Sequence, residues 1–148
     1  METNTATATA TEATRVTDPR TQSAFATATT SIKIYGALTA AALLAVIAVA
    51  ASGHMVNTFM WVRACLLPAV TLLFHRLTVS ASRGSRRAFE RISAISVIIP
   101  IAIIGVDVIP GVCPPWYAAM QTLCMLPVVA VAVITRSAPL RAAFPKTR

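Results

Sequence analysis

Four apolar blocks, at residues 32–52, 55–75, 92–109 and 116–135, make up more than half of the 148-residue chain. Each is about as long as the ~20 residues that a helix needs to cross the hydrocarbon core of a bilayer. Blocks of this length leave little room for a soluble fold, and the composition agrees: 56% of residues are hydrophobic, 12% are charged, and the mean hydropathy is +0.71. The expected fold class is therefore all-α, an integral membrane four-helix bundle that occupies residues 32–135.

Outside the blocks the chain changes character. Residues 1–31 are rich in Thr and Ala, contain a single aromatic residue and lack apolar periodicity. Such a segment buries too little surface to offset its ordering entropy, so a disordered N-terminal tail is expected there. A cleaved signal peptide competes for the first block, because Lys33 precedes it and small residues follow near Ala51. The block is longer than the usual apolar region of such a peptide, and the preceding tail is long as well, which favours a retained helix. The second block is the least clean. Starting it near Met55 and ending it near Phe74 leaves Arg63 inside, about one quarter of the way across, where its long side chain can snorkel to the nearer interface.

Basic residues set the expected topology. The 76–91 loop carries Arg76, Arg83, Arg86, Arg87 and Arg91, the 136–148 tail carries four more, and Arg15, Arg20 and Lys33 precede or open the first block. The two remaining connections carry none. The positive-inside rule then puts both termini and the 76–91 loop in the cytoplasm, in a multi-pass protein of the cell membrane. Trp61, Trp116 and Tyr117 fall toward the outer interface and Tyr35 toward the inner one. The net charge of +8 would suit nucleic acid only on a water-exposed folded face. Here the basic residues flank apolar blocks, which makes anionic inner-leaflet headgroups the expected partner and excludes nucleic acid. If residues 83–91 are helical, Arg83, Arg86, Arg87 and Arg91 share one face with Glu90, available to lipid or to an acidic partner, although Gly84 weakens the helix.

Within the blocks, polar and small residues are few enough to weigh one by one. Gly36, Ala40, Ala41, Ala45 and Ala48 present a small-residue surface for close packing, either inside the bundle or as a homo-oligomer seam. Pro68, Pro100 and Pro127 lie near mid-span of three helices, and either bundle packing or a hinged cavity would accommodate them. On the third helix Ser93, Ser96, Pro100, Ile103, Asp107 and Gly111 share a face, so Asp107 continues a polar and small stripe that should point at other helices. An anion at a helix C-terminus faces the negative pole of the macrodipole and needs compensation. Asn57, Arg63 and Gln121 lie at similar depth and complete a candidate polar cluster, with Arg63 pairing Asp107 and Gln121 supporting the pair. Against this stands the face of the second helix expected to point inward, Asn57, Ala64, Pro68, Thr71 and His75, whose centre is about 100° from Arg63. Asp107 could instead be hydrated from outside or handle a proton or cation.

Little points to catalysis. His54 and His75 fall on opposite sides of the membrane, and there is no phosphate loop, acid pair or nucleophile elbow. Cys65, Cys113 and Cys124 form no CxxC motif and have no partners at metal spacing, so no cofactor or metal is expected. The expectation is a small polytopic membrane protein, a non-catalytic accessory or interaction component with a homo-oligomer or a larger membrane partner. The alternative is a subunit of a small oligomeric transporter or channel.

Overall fold

The computed structural model describes residues 10, 11, 13–111 and 114–145. Four long helices, α1 (Pro19–Ala51), α2 (Thr58–Ser82), α3 (Arg86–Asp107) and α4 (Pro115–Thr135), are followed by a short α5 (Ala138–Ala143). The connections are short in sequence, each long helix packs on the next, and α4 closes the bundle against α1. All four are long and apolar enough to cross a membrane. The fold is an all-α four-helix bundle of the polytopic membrane type.

The expected disorder of residues 1–31 is corrected over the described part of that segment. Helix α1 starts at Pro19 and runs for 33 residues, about 50 Å at 1.5 Å per residue. That is longer than the hydrocarbon core, so its first turns project past the apolar block. The start is built from local chemistry: Asp18 is the N-cap, its carboxylate accepts from Arg20 N at 2.8 Å, and Pro19 occupies the first turn. The threonines do not compete with the helix, because Thr27, Thr29 and Thr30 donate to the carbonyls of Ser23, Phe25 and Ala26, four residues back. Tertiary contact supplies the rest. Thr21, Phe25 and Ala28 are buried, as is Val16 in the helical segment just before α1. Residues 1–9 and 12 of the expected tail lie outside the described residues.

The 76–91 segment is not an extended loop either. Helix α2 continues to Ser82, Gly84 makes the turn at φ 92°, and α3 begins at Arg86 with Ser85 as N-cap. Left-handed backbone of this kind suits glycine because it has no Cβ. The 136–148 tail likewise contains α5, with residues 146–148 outside the described residues.

The inward faces follow a heptad. On α1, Thr21, Phe25, Ala28, Ile32, Tyr35, Thr39, Ala42 and Val46 are buried in alternating steps of four and three. Tyr117, Gln121, Cys124, Val128, Val131 and Thr135 repeat the pattern on α4, with Met125 beside them. This is the repeat of left-handed helix packing. It divides the interior into three layers. Val46, Met60, Ala64 and Tyr117 fill one end; Ile32, Tyr35, Phe74, Ile92, Met125, Val128 and Val131 fill the middle; Phe25, Ala81, Ala88, Phe89, Leu140 and Phe144 fill the other end. The last layer lies where most of the basic residues gather and is called the basic end below.

The small-residue surface of α1 is split by this packing. Gly36 faces α2, where an added Cβ would come within 2.9 Å of Thr71 Cγ2, whereas Ala40, Ala41 and Ala48 are exposed on the outside of the bundle. Helices α2, α3 and α4 each continue past their internal proline. Cys65 is exposed and Cys124 is buried, both as free thiols; Cys113 lies outside the described residues.

Candidate functional site

Arg63 and Asp107 meet across the α2–α3 seam. Arg63 lies in the second turn of α2 and Asp107 is the last residue of α3, so antiparallel packing brings them to one level. The guanidinium grips the carboxylate with two parallel bonds: Nη1 donates to Oδ1, and Nη2 donates to Oδ2 at 2.9 Å. The two side chains are only 8% and 4% exposed. The Phe59 ring covers the cation, its centroid 5.6 Å from Arg63 Cζ. Arg63 also answers the electrostatic problem of Asp107, an anion at the negative pole of a helix. Fork-to-fork geometry is the strongest form of this contact, and it is the arrangement that makes a charge pair tolerable at low dielectric.

The angular objection to this pair disappears because α2 is turned differently from its polar pattern. Its buried residues are Met60, Arg63, Ala64, Leu67, Phe74, Thr78 and Ala81, while Asn57 and His75 are exposed. The inward face is thus rotated by about 70° toward Arg63, taking 100° per residue. Large apolar side chains set this rotation: Phe74 meets Tyr35 edge-on at 6.5 Å, and Leu67 is buried near the middle of the helix.

Two other members of the expected cluster stand apart from the pair. Asn57 is the N-cap of α2, where its Oδ1 accepts from Phe59 N at 3.3 Å; it is exposed and takes no part in the ion pair. Gln121 is fully buried at 0% exposure, but neither amide atom makes a hydrogen bond among the described residues. It therefore does not support Arg63 or Asp107. The Tyr35 hydroxyl and Arg63 Nε are also buried without a hydrogen-bond partner among the described residues. Tyr35 and Cys124 carry no formal charge and no distinguishing pattern in the apolar blocks; their burial on the inward heptads of α1 and α4 is decided by packing.

At the basic end the four arginines expected on one helical face are divided by the turn. Arg83 is exposed in it, whereas Arg86, Arg87 and Arg91 belong to α3. Arg86 Nε donates to Glu90 Oε1 at 3.1 Å, one turn along. Among the described residues, no group of three or more His, Cys, Asp or Glu side chains is placed to hold a metal ion. No family model, curated protein or solved structure matches the chain.

Proposed function

We propose that the chain is a non-catalytic accessory or interaction component of a membrane, acting through lateral association, with its termini and the α2–α3 turn in the cytoplasm. The observation that carries this reading is the closed Arg63–Asp107 pair. A carboxylate that serves a moving ion must be free to change partners, whereas both oxygens of Asp107 are taken by one guanidinium inside the bundle. Such a pair locks α2 to α3, and the exposed apolar faces of the four helices are left for lipid or a partner helix. The orientation rests on charge: the described Lys and Arg residues other than Arg63 lie in the half of the molecule that holds the α2–α3 turn.

A transporter or channel subunit is the second reading, favoured by the Gln121 amide and Tyr35 hydroxyl, both in the interior and without a hydrogen-bond partner among the described residues. Proteoliposomes separate the two. An accessory protein should give no proton or cation flux above protein-free vesicles, and in-membrane crosslinking should return the chain joined to a constant partner or to itself. Flux that disappears in Asp107→Asn would overturn the accessory reading.

A further inference from the structure

We propose that the cavity between the start of α3, the end of α4 and α5 binds a phosphate group, as carried by the headgroup of an anionic phospholipid. The cavity has a volume of about 510 Å³, and three arginines from three separate elements line it: Arg86 at the first position of α3, Arg136 at the C-cap of α4, and Arg141 on α5. Among the described residues Glu90 is the one carboxylate in the lining, and there it engages Arg86 Nε. Arg136 uses one Nη1 bond to the carbonyl of Ala132, at 3.1 Å. A guanidinium has five N–H donors, so donors remain on all three arginines. Planar, multiply donating cations of this kind suit phosphate oxygens.

The backbone makes the same demand. Arg86 and Arg87 open α3, whose first turn contains no acidic residue. Two cations therefore sit at the positive pole of a helix, an arrangement that an anion relieves. The aromatic floor keeps the cavity open: Phe89 and Phe144 stack with centroids 4.5 Å apart and planes 13° apart, and Phe25 meets Phe144 edge-on. This packing holds α5, and with it Arg141, across from α3.

The position favours a lipid over a free anion. Ser93, Ala94 and Thr135 form the end of the cavity nearest the apolar spans. One turn inward from Ala94 on α3, Ile98 is exposed, and one turn inward from Arg136 on α4, Val133 is exposed as well. A phosphate among the arginines would thus lie at headgroup level, with acyl chains running along α3 and α4. The inference is independent of the accessory role proposed above and requires only that this end of the bundle meets a membrane surface.

The test uses the full chain in a neutral detergent and three probes: dioctanoyl phosphatidylglycerol, dioctanoyl phosphatidylcholine and inorganic phosphate. Phosphatidylglycerol is expected to bind at least about tenfold more tightly than phosphatidylcholine, and Arg136→Gln/Arg141→Gln to remove that preference. A control, Arg15→Gln/Arg20→Gln, changes a separate groove at the same end and should leave the preference within about twofold. Where the double variant loses its thermal transition, Arg141→Gln alone, on the exposed rim, should weaken phosphatidylglycerol by about threefold or more. Inorganic phosphate that competes fully with the lipid would support the site and identify the free anion as its source. No preference between the two lipids, or equal losses in the cavity and control variants, would overturn the proposal and leave only a diffuse basic surface.

Discussion

Arginine does opposite work at the two ends of this bundle. At the α2–α3 seam Arg63 is buried, bound by both terminal nitrogens to Asp107 and covered by Phe59. At the basic end Arg86, Arg136 and Arg141 share one cavity with a single carboxylate among the described residues. The difference lies in the medium. Within the span a charge without a close counter-ion is too costly to keep, so the chain supplies its partner from the facing helix. Beyond the span, water and headgroups compensate the charge, and like charges can be held near each other by packing. The structural burden shifts accordingly: the ion pair ties helices together in one region, and aromatic contacts among Phe25, Phe89 and Phe144 do so in the other.

The sharpest way to break that contrast is Asp107→Ala, which strands Arg63 in the interior. It should destabilise the bundle by about 3–5 kcal/mol, with Arg63→Ala adding little in the double variant. Reversible unfolding in mixed micelles measures both, and additive losses would mean that the two residues act separately. A smaller, local effect is expected at the basic end. Phe144→Ala removes the stack on Phe89 and the edge contact with Phe25, worth about 1–2 kcal/mol beyond area burial. It should speed amide exchange across residues 138–144 by roughly tenfold while exchange around Arg63 stays unchanged. The smallest effect concerns the cap. Asn57→Ala should cost about 1 kcal/mol, the ordinary loss of an N-cap, and double-variant unfolding should find its effect additive with that of Asp107→Ala. Strong coupling would return Asn57 to the polar cluster.

Much of this could be read before any packing was known, though unevenly. The helical part of the expected stripe does point inward: Ser96 and Pro100 are buried, Ile103 is half-buried, and Asp107 meets α2, while Gly111 lies exposed in the turn beyond the helix. The start of α1 was missed, although Asp18 followed by Pro19 is an N-cap signature. The composition of the tail hid it, since Thr and Ala carry little apolar signal of their own. Phe25 is ordered by Phe144, more than a hundred residues away, and Thr/Ala content says nothing of such a partner. Gln121 was expected to support the Arg63–Asp107 pair; it is buried, but its neighbours depend on the azimuth of α4, and its amide makes no hydrogen bond among the described residues. Gly84 was visible as a weak point in a helical 83–91 segment, and its left-handed backbone is what separates Arg83 from the other three arginines.

Sequence alone determined that four helices of membrane-spanning length exist, where their apolar parts begin and end, and which end of the bundle is basic. These properties depend on length, hydropathy and charge, which add along the chain whatever the helices touch. Which side of each helix faces inward was decided by tertiary structure. In a span that is apolar on every face the hydrophobic pattern carries little azimuthal information, because lipid and protein interior solvate Leu, Val and Ile nearly alike. Shape then chooses: Phe74 and Leu67 turn α2, Gly36 admits Thr71, and that rotation carries Arg63 to Asp107.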